Sequence, residues 1–360
     1  VLSHGQYILG PEIRELEEKL ASFAGTRFCL TCASGTDALL LPLMAWGVGP
    51  GDAELTTANS FYATEEVVAL LGATPVFVDI DPVTFNMDPA ALERAILALK
   101  AGNTSLHPLP SGYEELTPKA IIPVDLFGLP ADYAAIMAVA DRYGLPVLED
   151  AAQSFGGSIH GKRACSFGQV AATSFFPAKP LGCYGDGGAI FTDDEELYAT
   201  LVSLRVHGQG SDKYENVAVG INGRMDTLQA AIMLPKLEIF PEELALRQAA
   251  ADRYTALLGD LVATPRIPEG YASAWAQYTV RTDRREALME GLKARGVPTM
   301  IYYRIPLHLQ PVFLHLGYEQ GSMPASEEAA ASVVSLPMHP YLDEATIDLV
   351  AGAVLDVLSR

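Results

Sequence analysis

The sequence predicts an α/β protein: a mostly parallel central sheet covered by helices, followed by a smaller C-terminal α+β unit. Three observations carry this. From residue 11 to residue 149, short apolar segments alternate with helical segments, the rhythm of a sheet buried on both faces. From about residue 262 the pattern changes to a mixed set of strands and helices. The 360 residues are 49% hydrophobic and 19% charged, which excludes a disordered or coiled-coil chain. The division into a large unit and a small one is placed at 1–240 and 241–360.

The elements follow in order. A helix is predicted over 11–25, because Ile13, Leu16, Leu20 and Phe23 share one face, Pro11 suits its first turn and Gly25 its stop. A strand over 28–31 leads to the small turn 33–36 and a helix from Asp37 that contains Pro42. Helix 64–71, strand 75–79, helix 88–99, strand 120–124, helix 132–143 and strand 145–149 continue the alternation. Residues 101–118, rich in Gly, Pro, Ser and Thr, read as an inserted surface loop. Asp226 caps a helix over 227–237, and a second, linking helix is placed at 241–258. Strands over 276–280 and 298–303 and helices over 284–295 and 343–358 complete the smaller unit.

Charge and composition exclude several function classes. Lys plus Arg is 24 and Asp plus Glu is 44, a net charge of −20, so nucleic acid and anionic membrane are not expected partners. No apolar run reaches the roughly 18 residues needed to span a bilayer, and no leader-like segment opens the chain. Four cysteines form no disulfide framework, which favours a cytoplasmic location. Cys29 and Cys32 form a C-x-x-C, but on a strand residues three apart face opposite ways, so no metal site is expected. There is no G-x-G-x-x-G for a dinucleotide.

Four places bring polar residues to the ends of predicted strands, where ligands of such folds sit. Ser34-Gly35-Thr36 opens a helix, and its N–H groups suit an anion or simply a cap. Asp150 and Gln153 follow a strand, where a carboxylate faces the crevice or caps a turn. Lys179 lies in Ser174-Phe175-Phe176-Pro177-Ala178-Lys179-Pro180. A lysine among apolar residues loses proton affinity and can form a Schiff base, or it is ion-paired. Asn222 and Arg224 precede the helix from Thr227 and are candidate anion ligands or loop polar residues.

These places sit in strings that resemble the DegT/DnrJ/EryC1/StrS family of pyridoxal phosphate (PLP)-dependent sugar aminotransferases. The strings are HGQYILGPEI (4–13), SGTDAL (34–39), LEDAAQSFGG (148–157), SFFPAKPLGCYGDGGAIFT (174–192) and INGRMDTLQAA (221–231), spread through most of the chain. The resemblance implies a fold-type I PLP-dependent transferase whose large domain, 1–240, binds the cofactor. It implies that Lys179 holds PLP as a Schiff base and shuttles a proton, and that Asp150 faces the pyridine nitrogen. It implies that Gln153 meets the ring hydroxyl and that Phe61 stacks on the ring. Gly35, Thr36 and Ser174 would bind the phosphate, with Asn222 arriving from a second subunit of a homodimer whose active sites are shared.

The reaction implied is transfer of an amino group from L-glutamate to a ketone on a nucleotide-sugar. The strings look closest to aminotransferases acting on a 3-keto UDP-N-acetylhexosaminuronate, which make amino sugars for bacterial surface polysaccharide. On that reading Arg224 binds the uronate carboxylate or diphosphate, and His308 approaches the sugar. A 4-keto UDP- or dTDP-sugar aminotransferase is the alternative. The family's dehydratase branch carries histidine in place of the Schiff-base lysine, against which Lys179 stands. A non-catalytic binding or regulatory protein on the same fold is the remaining alternative, weakened by the presence of Lys179, Asp150 and Gln153 together.

Overall fold

A seven-stranded sheet forms the centre of the computed structural model, which describes residues 1–212 and 214–359. The chain runs through α1 (Pro11–Ala24), β1 (Phe28–Cys32), α2 (Gly35–Ala45), β2 (Asp52–Thr57), α3 (Ala63–Leu70), β3 (Thr74–Val78), α4 (Pro89–Ala101), β4 (Thr117–Ile122), α5 (Tyr133–Tyr143) and β5 (Leu148–Asp150). It continues through β6 (Ser158–Ile159), β7 (Lys162–Arg163), β8 (Val170–Ser174), β9 (Gly188–Thr192), α6 (Glu195–Arg205) and α7 (Thr227–Leu258). The last elements are β10 (Tyr271–Ala272), β11 (Tyr278–Arg281), α8 (Arg285–Lys293), α9 (Pro324–Ser332), β12 (Val333–Leu336) and α10 (Glu344–Leu358).

The central strand order is β3-β2-β4-β5-β8-β9-β1, with β4 and β5 joined by the parallel bridges Ile121–Val147 and Val124–Asp150. Every neighbouring pair is parallel except those of β9, which runs antiparallel to both β8 and β1. The mostly parallel sheet is therefore as expected. Helices cover it as the apolar spacing requires: Leu16 and Leu20 of α1 meet Met233 and Phe240 of α7 on one side, and α2 and α6 pack with β1 and β9 on the other. The C-terminal part builds its own core from Tyr254, Tyr278, Leu288, Leu292, Val350 and Val354 around the β11–β12 pair.

Several elements differ from the sequence reading. The helices placed at 227–237 and 241–258 are one helix, α7, with Pro235 and Pro241 inside it. A proline removes one N–H and crowds the preceding turn, but here tertiary packing outweighs that cost: Met233, Leu237 and Phe240 are buried on either side. No strand forms over 298–303; Met300 makes one antiparallel bridge to Ser335, and the strand that pairs with β11 is β12 instead. The 101–118 segment is a surface loop as expected, up to the start of β4 at Thr117, and it is tied down at two points. His107 Nε2 lies 2.7 Å from the Phe77 carbonyl oxygen, and the Ser111 N–H donates to the Leu316 carbonyl at 2.7 Å.

Candidate active site

The parallel strands end at a cavity of about 750 Å3, closed on its far side by the 298–303 segment and the end of β12. Its wall includes Gly35, Thr36, Phe61, Asp150, Gln153, Ser174 and Lys179, seven of the ten residues singled out from sequence. They arrive from the start of α2, the loop before α3, the end of β5, the end of β8 and the loop after β8. Strand ends and one helix start converge there because the sheet is parallel at this point.

The start of α2 is an anion cradle. Ser34 caps the helix, its Oγ accepting the Asp37 N–H at 3.0 Å. The Gly35 and Thr36 N–H groups lie in the first turn, where no intrahelical partner exists, and both residues face the cavity. Gly35 is required by close approach: a Cβ there would lie 2.6 Å from Ser174 Cβ. Gly188 is equally constrained, since its Cβ would lie 2.3 Å from the Ser34 carbonyl oxygen. The end of β8 is thus pressed against the helix start, and the Ser174 hydroxyl joins the cradle.

Asp150 is buried at the end of β5. The Thr64 hydroxyl donates to its Oδ2 at 2.8 Å and the Ala152 N–H to its Oδ1 at 3.1 Å. Burial pushes its carboxyl above the usual range, while these donors and the nearby Lys179 favour the charged form. Gln153 has its amide orientation set by the backbone: its Oε1 accepts the Phe127 N–H at 2.9 Å. The Nε2 is thereby turned to the other side, where it donates to the Tyr303 hydroxyl at 3.4 Å. Lys179 is half-buried; desolvation lowers the proton affinity of its amine, and Asp150 opposes that shift. Phe61 is 55% exposed, its ring 6.0 Å from that of Tyr303.

These residues fit PLP. The cradle offers N–H and hydroxyl donors for a phosphate, Asp150 a carboxylate for a pyridinium nitrogen, Gln153 a donor for a phenolic oxygen, and Lys179 an amine of reduced basicity for the carbonyl.

Three expected residues are not at this cavity. Asn222 is exposed, bridging Val206, and Arg224 is half-buried with its Nε buried and unpartnered among the described residues. His308, expected to approach the sugar, does not line this cavity. It is 0% exposed, its ring 6.2 Å from that of Phe77, and its Nε2 lies 3.1 Å from Glu327 Oε1. Burial lowers its proton affinity. It ties the Leu307–Leu309 turn to α9 and does not face the cavity where a sugar would enter.

Sequence reasoning missed Thr64 and Tyr303. Thr64 opens a predicted helix and Tyr303 ends a predicted strand, and neither position carries a local signal of its partner in the site. Among the described residues there is no group of three or more His, Cys, Asp or Glu that could hold a metal, and the four cysteines are free and buried. No helix is long and apolar enough to cross a membrane, among the described residues.

Comparison with known proteins gives the same direction. The model of the DegT/DnrJ/EryC1/StrS aminotransferase family matches residues 1–355. A "UDP-2-acetamido-2-deoxy-3-oxo-D-glucuronate aminotransferase" of Pseudomonas aeruginosa is 53% identical over 98% of this chain and 93% of its own length. A solved DegT DnrJ EryC1 StrS aminotransferase from Brucella abortus superposes with a TM-score of 0.95 at 49% identity, covering 100% of this chain and 94% of that one. A Bacillus subtilis structure with bound cofactor PMP superposes with a TM-score of 0.87 at 32% identity, covering 100% of this chain and 80% of that one.

Proposed function

The chain belongs to the DegT/DnrJ/EryC1/StrS aminotransferase family and is a PLP-dependent aminotransferase, and from that premise we propose that it aminates a keto nucleotide-sugar. The substrate we infer is a 3-keto UDP-N-acetylhexosaminuronate, with L-glutamate as donor, on the way to an amino sugar of surface polysaccharide. The observation that carries the substrate reading is the 53% identity, over nearly the whole chain, to the Pseudomonas protein named for that reaction.

Bound PLP supplies an electron-withdrawing ring that acidifies the carbon beside the transferred nitrogen. The chain's own groups do the rest. The α2 cradle and Ser174 hold the phosphate and fix the ring's position. Asp150, whose charged form Thr64 and Ala152 favour, would hold a proton on the ring nitrogen. Gln153 donates to the ring oxygen from the Nε2 that Phe127 leaves free. Phe61 covers one ring face. Lys179, with its lowered proton affinity, would take a proton from one of the two carbons that flank the transferred nitrogen and return it to the other, as base and then acid.

The site we infer is completed by a second copy. Lys179 is the one cation on the cavity wall among the described residues, too little for a phosphate together with anionic substrates. Asn222 and Arg224 lie outside it, and exposed apolar residues flank it, including Phe176 and Tyr184. A homodimer in which each Asn222 reaches the partner's phosphate and each Arg224 an anionic substrate group satisfies both facts. A cytoplasmic enzyme is consistent with four free, buried thiols.

The test is a panel of 3-keto and 4-keto UDP- and dTDP-sugars, with L-glutamate as donor. Amination of the 3-keto UDP-uronate with the highest kcat/KM supports the reading. Preference for a 4-keto sugar would replace it with the alternative, and no transfer from L-glutamate would remove the donor assignment.

A further inference from the structure

Two carboxylates face the cavity, and they differ in what they are given to do. Asp150 is committed to Thr64 and Ala152. Asp186 faces the same cavity, is exposed, and has no hydrogen-bond donor or ion pair on its carboxylate among the described residues.

The turn that carries Asp186 is held from several sides. The Tyr184 N–H donates to Gln229 Oε1 at 2.9 Å, and the Cys183 thiol donates to the Phe175 and Gly185 carbonyls at 3.0 Å. Gly185 lies against the Gln229 side chain and Gly187 against those of Met225 and Cys183, so the turn is packed on both sides of Asp186. The carboxylate projects from a braced support, and a braced acceptor loses little freedom when a ligand binds.

A bare carboxylate is a misfit in a pocket that takes a phosphate and anionic substrates, unless the ligand brings donors to it. Phosphate, diphosphate and uronate carboxylate all repel it. The hydroxyl and acetamido N–H groups of a sugar ring do not.

We propose that Asp186 is a specificity-determining residue whose carboxylate accepts hydrogen bonds from the hydroxyl or acetamido N–H groups of the substrate's sugar ring. This rests on the nucleotide-sugar reading above.

The test uses the holoenzyme in its pyridoxamine phosphate form, with UDP and UDP-N-acetylglucosamine as probes in titration calorimetry. The wild type should bind the sugar nucleotide more tightly than UDP. Asp186→Asn, which keeps an acceptor without the charge, should weaken UDP-N-acetylglucosamine roughly tenfold, and Asp186→Ala up to about a hundredfold. UDP affinity should stay unchanged in both, with the cofactor spectrum marking an intact site. Equal weakening of UDP and UDP-N-acetylglucosamine would overturn the proposal by making Asp186 a structural or ion-pairing residue. An undiminished preference for the sugar nucleotide in Asp186→Ala would overturn it directly. Binding of neither probe by the wild type would overturn the nucleotide-sugar reading itself.

Discussion

Replacing Thr64 by valine tests the logic of the site at the atom that sequence reasoning overlooked. Thr64 and Asp150 are both buried, and the hydroxyl donates to Asp150 Oδ2 at 2.8 Å. Thr64 Oγ1 also lies 3.1 Å from Ser60 Oγ and 3.3 Å from the Phe61 carbonyl oxygen, but the Asp150 carboxylate is the nearest and the only charged acceptor among these three. A buried hydrogen bond to a charged group is worth roughly 1.5–3 kcal/mol. Valine is nearly isosteric and removes only the donor.

The sign follows. Thr64 favours the charged form of Asp150, so its loss moves the carboxyl further up from a value that burial has already raised. The shift expected is roughly one to two pH units. The assay is the Kd for PLP as a function of pH. In the wild type, affinity falls on the acid side as Asp150 takes a proton and can no longer pair with the ring nitrogen. In Thr64→Val that acid limb should move up by roughly one to two pH units, with affinity inside the window about ten- to a hundredfold weaker. Well above the limb the two proteins should bind equally. Thr64→Ser should restore the wild-type limb. A limb that does not move, or a uniform loss at every pH, would refute the assignment of Thr64 as the group that keeps Asp150 charged.

Other outcomes follow from the same structure. Lys179→Ala should abolish turnover and the lysine-linked cofactor absorbance while leaving the circular dichroism spectrum unchanged; a variant that still turns over would end the Schiff-base assignment. Arg224→Ala should raise the sugar KM with little change in the half-reaction with L-glutamate, and equal slowing of both halves would make Arg224 a cofactor or interface residue instead. Glu54 is 0% exposed with both carboxyl oxygens lacking a hydrogen-bond partner among the described residues, and burial raises its pKa from 4.5 to about 8. The folded state then binds the proton that the unfolded chain releases, so stability falls as pH climbs from 4.5 to about 8. The upper limit of that loss is roughly 5 kcal/mol. Glu54→Gln should flatten it, as read by urea unfolding at pH 5 and pH 9; an unchanged slope would show that Glu54 is not the group responsible.

The same residue shows why parts of the fold were hard to read. β2 is a central strand, yet it reads Asp-Ala-Glu-Leu-Thr-Thr, and no apolar run announces it. β8 and β9 are short and rich in small residues, so their strand character comes from pairing with each other and with β1 and β5. α7 was divided because two prolines are strong local breakers, and only its packing against α1 and the C-terminal core makes one helix the better solution.

Composition, charge and local strings were sufficient for the fold class, the family and the cavity residues carried by contiguous motifs: Gly35 and Thr36, Asp150 and Gln153, Ser174 and Lys179. Each is one turn or one strand end, and such units are encoded by neighbours in the chain. The tertiary structure alone decided the rest. It placed Thr64 under Asp150 across 86 positions of sequence and Tyr303 beside Gln153 across 150. It also withdrew His308 into a buried pairing with Glu327. Which side chains meet over such separations depends on how strands pair and helices pack, and burial then sets their charge; neither is a property of any local stretch of residues.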